Sequence, residues 1–88
     1  MKLQHRLTQR VRSRRKEDVG ELVVVTRRRS GSLVQAIWWP AHSHGEHSHL
    51  EQLPAAIRMQ LLREILHCES ASEAGVLVEA AFYMAAET

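Results

Sequence analysis

Two apolar segments on either side of a turn constrain the fold of this 88-residue chain more than any other feature. Residues 21–27 and 33–39 are rich in β-branched and aromatic side chains, which favour strands. Ser30 and Gly31 lie between the two segments and are typical turn residues. The pattern predicts a β-hairpin with Ser30 and Gly31 as its two-residue loop.

The two-residue loop also predicts which residues pair across the hairpin. Val24 should face Ile37, and Leu22 should face Trp39. Both faces of the sheet are then apolar near the tryptophans. Because an apolar sheet face must be covered, we expect the chain's own helices on one side and something else on the other.

The N-terminal segment alternates between apolar and polar positions. Leu3, Leu7 and Val11 occupy odd positions, whereas the even positions from Lys2 to Lys16 are polar or basic. This alternation predicts a strand over residues 2–16; a narrow helical stripe and an unfolded basic arm are the alternatives. A turn-like stretch follows, so we treat residues 1–20 as a basic N-terminal strand or arm.

The second half of the chain is typical of helices. Pro54 suits a first helical turn, and residues 55–67 place apolar side chains at helical spacing. Ser70 with Glu73 three positions later is a capping box, which predicts a second helix over about residues 71–86. We expect an α+β fold in the order βββαα: a small antiparallel sheet of two or three strands followed by two helices, in a single domain over residues 1–88.

The last predicted helix is apolar almost all round, so it should be central or lie in a subunit interface. A chain this short buries little surface by itself. We therefore expect a homodimer.

The most apolar stretch, residues 74–86, is too short to cross a membrane and contains Glu79. No signal peptide pattern is present, and the single cysteine, Cys68, cannot form an internal disulfide, so we expect a cytoplasmic protein with no membrane association.

Charge is distributed unequally along the chain. Residues 1–30 carry ten basic against three acidic residues, a net charge of +7, whereas residues 31–88 carry two against seven, a net charge of −5. Arginine and lysine bind phosphates through charge and counterion release. The sequence therefore predicts contact with nucleic acid or a nucleoprotein, and the alternatives are a solvated charged face or pairing with the acidic half of a second subunit. The candidate arginines are Arg6, Arg10, Arg12, Arg14, Arg27, Arg28 and Arg29.

Trp38 and Trp39 are neighbours on a predicted strand and must point to opposite faces. One should belong to the core, and the other is a candidate partner anchor or a platform on which a base stacks. Cys68 follows the apolar face of the first predicted helix, which favours a buried structural thiol.

The histidine-rich loop, residues 41–49, contains His42, His44, His47 and His49. Neutral imidazoles bind zinc or nickel, and alternating histidines on either side of Gly45 could converge on one ion. The alternative is an exposed flexible loop. No resident cofactor other than this metal is expected, and no nucleophile, phosphate loop or metalloprotease motif points to an enzyme.

The leading hypothesis is a small non-enzymatic regulator that binds nucleic acid or a nucleoprotein through its basic N-terminal face. One alternative is a protein-interaction inhibitor of the phage or plasmid type, which blocks a host complex. Another is a metal-binding protein that uses the histidine-rich loop. Salt dependence separates the first two, because only a nucleic-acid complex should weaken log-linearly as salt rises on many unrelated sequences.

Overall fold

The structure is a computed structural model that describes residues 3–87. Its elements are β1 (Gln4–Arg12), β2 (Asp18–Arg27), β3 (Leu33–Pro40), β4 (Ser48–His49), a 3-10 helix (Leu50–Gln52), α1 (Ala55–Leu66) and α2 (Ala71–Ala86). The strands form one antiparallel sheet in the order β1-β2-β3-β4. The small α+β fold with the sheet before the helices is confirmed. The sheet has four strands instead of the predicted two or three, because two residues of the predicted histidine-rich loop form the short strand β4.

The basic N-terminal segment is a strand, as its alternation predicts, rather than a helix or an unfolded arm. β1 ends at Arg12, however, and not at Lys16. The Oγ of Ser13 accepts hydrogen bonds from the backbone N–H groups two and four residues later, each at 3.2 Å. Lys16 then adopts a left-handed φ of 63°. These features turn the chain into β2 before the predicted end of the strand. Lys2 lies outside the described residues.

The predicted hairpin register is wrong by one residue. Ile37 pairs with Val23 instead of Val24, and Leu22 pairs with Trp38 instead of Trp39. The reason is a longer turn, in which the backbone N–H of Gly31 donates to the carbonyl of Arg27 at 2.8 Å. Next to this turn the offset is two residues, since Thr26 pairs with Leu33, and a register irregularity between positions 25 and 26 of β2 reduces it to one residue along the rest of the strand. Since side chains alternate along a strand, the observed register places Leu22 and Trp38 on one face and Trp39 on the other.

One face of the sheet packs against both helices, and we call it the inner face. Trp38 is 1% exposed there and belongs to the main core with Ala36 of the same strand. Leu61 and Ile65 of α1 and Val78 of α2 complete the contact from the helix side. This core fixes the position of β3, and therefore of Trp39, whose side chain points the opposite way.

Each helix begins close to its predicted position. α1 starts directly after Pro54, and its last residue is Leu66, one position before the predicted end. α2 covers the predicted range, with Ser70 Oγ accepting a hydrogen bond from the backbone N–H of Glu73 at 3.1 Å. A capping box would have the Glu73 carboxylate accept from the backbone N–H of Ser70, but it accepts instead from the backbone N–H of Glu69, one residue earlier, at 2.8 Å.

The final helix has one buried face and one exposed apolar face. Ala74, Val78 and Ala81 are buried, whereas Tyr83 is 68% exposed and Val76 is also exposed. α2 is therefore a surface helix with an apolar outer side. No helix within residues 3–87 is both long and apolar enough to cross a lipid bilayer.

Candidate functional site

The second face of the sheet, which we call the outer face, is opposite to the helices. Val23 and Val25 are buried on it by their strand neighbours but do not belong to the core that the helices form. Residues that pair side by side in an antiparallel sheet point to the same face. The register gives three rows across the outer face: Arg10, Glu21 and Trp39; Thr8, Val23 and Ile37; Arg6, Val25 and Gln35.

Most of the candidate arginines are exposed at this face or at its ends. Arg6, Arg10 and Arg12 occupy alternate positions of β1, the edge strand, and all three are exposed. Arg14 is exposed in the turn after β1, where its backbone N–H donates to the carbonyl of Cys68 at 3.3 Å. The remaining candidates lie at the opposite end of the sheet, around the β2–β3 turn, and are Arg27, Arg28 and Arg29.

Carboxylates of the same chain neutralise only a small part of this charge. Arg10 lies 3.4 Å from Asp18 and 3.9 Å from Glu21, measured between the guanidinium nitrogens and the carboxylate oxygens. Exposed pairs of this length stabilise a protein by about 0–1 kcal/mol. Within residues 3–87, five of the seven candidates form no ion pair: Arg6, Arg12, Arg14, Arg27 and Arg29. The outer face therefore keeps a positive charge that a polyanion could meet.

The two tryptophans occupy different environments, and they point to opposite faces as the sequence predicts. Trp38 is in the core and has no surface available for a partner. Trp39 is 37% exposed on the outer face, and the ring of His47 stacks on it with the ring centroids 4.3 Å apart and an interplanar angle of 27°. Of the two candidate contact residues, only Trp39 can therefore reach a ligand.

A depression of about 260 Å³ lies beside Trp39 on the outer face. Arg10, Asp18 and Glu21 line it together with Pro40 and Ala41. It combines an aromatic wall, a guanidinium and two carboxylates within one small space. Sequence reasoning missed both acidic residues because exposed carboxylates beside arginines are typical of a solvated surface; the correct register would have placed Glu21 between Arg10 and Trp39.

The four histidines are only partly brought together. The rings of His47 and His49 meet edge to face, with centroids 5.1 Å apart. His42 and His44 are exposed in the preceding turn, where His42 has a left-handed φ of 61°. Among residues 3–87, no three His, Cys, Asp or Glu side chains are grouped so as to hold a metal ion. Metal binding by this segment therefore stays a prediction that requires the loop to rearrange.

Glu51 is a further polar residue that the sequence did not single out. Its Oε1 accepts a hydrogen bond from the backbone N–H of Ala36 at 3.0 Å, and its Oε2 lies 3.1 Å from His49 Nδ1. Because β4 pairs with β3 only at Ile37 and Trp38, this carboxylate satisfies a β3 donor that lacks a strand partner. Glu51 thereby links His49 to β3.

Cys68 is buried at the end of the α1 segment, as the helical spacing predicts. Burial removes water from the thiol and raises its pKa above the usual value, and the carboxylate of Glu73 adds to the same effect. A thiol with a raised pKa is a poor nucleophile at neutral pH. Cys68 is therefore a structural residue.

Comparison with known proteins gives no match: no family model fits the sequence, and no curated protein or solved structure matches it. The chemistry of the outer face supplies the functional argument instead. Its arginines offer charge and fixed hydrogen-bond donors, and Trp39 offers an exposed ring. Together these groups suit a ligand that has both anionic and planar parts.

Proposed function

We propose that this protein is a non-enzymatic regulator that binds single-stranded nucleic acid, free or within a nucleoprotein, through the outer face of its sheet. The observation that supports this most strongly is the common position of the β1 arginines and Trp39. Arg10 and Trp39 line the same depression, and both pair with Glu21 in the sheet. Phosphate-binding and base-stacking groups thus lie side by side on a face opposite to the helices.

The arginine spacing suits a phosphate backbone. Alternate residues of a strand are about 6.6 to 6.8 Å apart, so Arg10 and Arg12 lie about 7 Å apart, and Arg6 continues the row along the edge of the sheet about 13 Å from Arg10. Each phosphate neutralised releases counterions, with a slope of about −0.7 per contact in a plot of log affinity against log salt for single strands. Three such contacts correspond to a loss of about 20-fold in affinity between 50 and 200 mM salt.

Trp39 contributes binding energy by stacking against a base, which it can do with any of the bases. Base stacking on an aromatic side chain is worth about 1–3 kcal/mol by alanine substitution. β1 and β3 are separated by β2, so their axes lie about 10 Å apart at the usual strand spacing. A chain that follows the β1 arginines can therefore turn its bases across the sheet toward Trp39.

A single strand fits this surface better than a duplex. Bases inside a duplex are already paired and stacked, so an aromatic ring on a sheet cannot reach their faces. Loops and single strands can splay their bases outward. We therefore expect single-stranded oligonucleotides to bind more tightly than a duplex of the same length.

The test is fluorescence anisotropy with labelled single-stranded and duplex oligonucleotides over a series of salt concentrations. Arg12→Gln should weaken single-strand binding several-fold on every sequence and make the salt slope shallower by about 0.7. Arg63→Gln is the matched control, because Arg63 is an exposed arginine on α1, on the helix side of the sheet. Equal effects of the two substitutions, or an affinity independent of salt, would contradict the proposal.

A second candidate, protein association, is favoured by the exposed apolar side of α2. Val76, Tyr83 and Met84 project from this helix and are all exposed. Exposed apolar patches on small proteins mark interaction sites. This surface would serve a homodimer or a protein-interaction inhibitor. Sedimentation equilibrium should then show a dimer that Tyr83→Glu dissociates, whereas a monomer at micromolar concentration would argue against self-association.

A further inference from the structure

The depression beside Trp39 contains two carboxylates that a phosphate-binding surface does not need. Asp18 and Glu21 lie among arginines and would repel the phosphates of a bound strand. One oxygen of each faces Arg10, and within residues 3–87 the second oxygen, Oδ1 of Asp18 or Oε1 of Glu21, has no hydrogen-bond partner. These two acceptors are available to a ligand that presents N–H groups.

The size of the depression limits what it can hold. Sites for drug-sized ligands are about 300–1,000 Å³. At about 260 Å³, this depression suits one planar ring system and not a larger ligand. Trp39 lines the depression, and since the His47 ring already stacks on one face of its indole, a base would stack on the other face, with the polar groups around it. On the outer face of a nucleic-acid-binding sheet, the corresponding ligand is a single base.

The four bases differ in how well they match these polar groups. Guanine presents neighbouring N1–H and N2–H₂ donors on one edge, which suit a carboxylate, and its O6 and N7 acceptors suit an arginine. Cytosine and adenine each offer one amino group but lack the O6 and N7 acceptor pair. Uracil presents one N–H between two carbonyl oxygens, which a carboxylate repels. Adenine and cytosine can each make single contacts of both kinds, but guanine alone offers a pair of donors to a carboxylate and a pair of acceptors to Arg10.

We propose that this depression is a guanine-selective base pocket, in which the base stacks on Trp39, donates hydrogen bonds to Asp18 or Glu21 and accepts from Arg10. The inference rests on the proposed function, since the phosphate contacts of Arg6 and Arg12 on β1 bring the strand to the pocket, where Arg10 faces the base instead of a phosphate. It adds a specificity that the arginines alone do not supply, because phosphate contacts carry no sequence information.

The test uses oligouridine strands that carry one central guanine, adenine, cytosine, uracil or hypoxanthine, with affinities measured by anisotropy. A well-formed pair of hydrogen bonds to a base gives about 1–3 kcal/mol of discrimination, so guanine should bind about 5- to 150-fold more tightly than uracil. Hypoxanthine lacks the N2 amino group and should bind with intermediate affinity.

Two substitutions separate base recognition from a role in holding Arg10. Glu21→Gln and Asp18→Asn should reduce the preference for guanine over uracil, and binding of oligouridine should strengthen slightly because a repulsive charge is removed. If the carboxylates serve only to orient Arg10, both variants should weaken all strands alike and leave the guanine preference unchanged, which would overturn the proposal. Both side chains are partly exposed, so circular dichroism should show an intact fold.

The outcomes also distinguish this inference from the proposed function. Equal binding of all five strands by the native protein would overturn the base pocket and leave the nucleic-acid interface in place. Failure to bind any strand would overturn the interface and the pocket together. A preference for guanine that is abolished by Glu21→Gln, with oligouridine binding retained, supports both.

Discussion

Gly20 is the position at which a single methyl group should damage the fold most directly. A Cβ added there would overlap Cζ2 of the Trp38 ring and lie 2.7 Å from both its Cη2 atom and the carbonyl oxygen of Trp39. Trp38 is 1% exposed, so its ring cannot move away without disturbing the core. Overpacking of this kind costs about 1–3 kcal/mol. We therefore expect Gly20→Ala to destabilise the protein by at least that amount.

Thermal unfolding followed by circular dichroism measures this loss. For a domain of this size, 1 kcal/mol corresponds to about 4–8 °C in Tm, so Gly20→Ala should lower Tm by about 5–20 °C. Gly75→Ala is the matched control, because Gly75 lies inside α2 with nothing within 4 Å of the added Cβ. Alanine is favoured over glycine in a helix by about 0.8–1.0 kcal/mol, so this variant should raise Tm.

The two substitutions should change Tm in opposite directions. Both substitutions add the same methyl group, and only the surroundings differ. A Gly20→Ala protein with the native Tm would show that Trp38 is not packed against β2, and the position of Trp39 on the outer face would lose its support. The denaturant slope should be unchanged in both variants, since the surface exposed on unfolding is nearly the same.

Three further outcomes follow from the structure. Trp39→Ala should weaken single-strand binding about 5- to 150-fold, whereas Tyr83→Ala, which removes an exposed aromatic ring on α2, should leave it unchanged; equal losses in an anisotropy titration would contradict the assignment. The Cys68 thiol should react slowly with a disulfide reagent until the protein is unfolded. Because burial raises the pKa of this thiol, its contribution to the free energy of unfolding should be complete below the usual thiol pKa and fall as pH rises toward the raised value. Urea midpoints that change with alkaline pH identically in the native protein and in Cys68→Ala would refute this. If the histidine-rich loop rearranges into a metal site, stoichiometric zinc should survive dialysis and a His44→Ala/His47→Ala variant should lose it; a native protein that retains no zinc would overturn the metal-binding alternative.

The sequence predicts the elements well where the signal is local. Ser70 and Glu73 locate the start of α2, and the alternation of Leu3, Leu7 and Val11 identifies β1 as a strand. Both signals depend on neighbouring residues only, so they persist whatever the tertiary structure. Arg12 is the last residue of β1 because the Ser13 side chain bonds to the backbone beyond it, a detail that alternation does not contain.

The candidate site depends on contacts between distant residues, and the sequence predicts less of it. The row that joins Arg10, Glu21 and Trp39 exists only in the observed register, which the longer β2–β3 turn determines. The stack of His47 on Trp39 likewise needs the loop to fold back over the sheet. Local patterns thus identified the arginines and tryptophans, but the acidic residues between them became visible only with the fold.

An NMR titration with a single-stranded oligonucleotide tests the central claim most directly. The chain has two indole N–H groups, one buried on the inner face at Trp38 and one on the outer face at Trp39. We expect the Trp39 indole signal and the amide signals of β1 to shift as the oligonucleotide is added, with the Trp38 indole and α2 little affected. Shifts concentrated in α2, or no shifts at concentrations well above micromolar, would contradict the assignment of the outer face as the nucleic-acid interface.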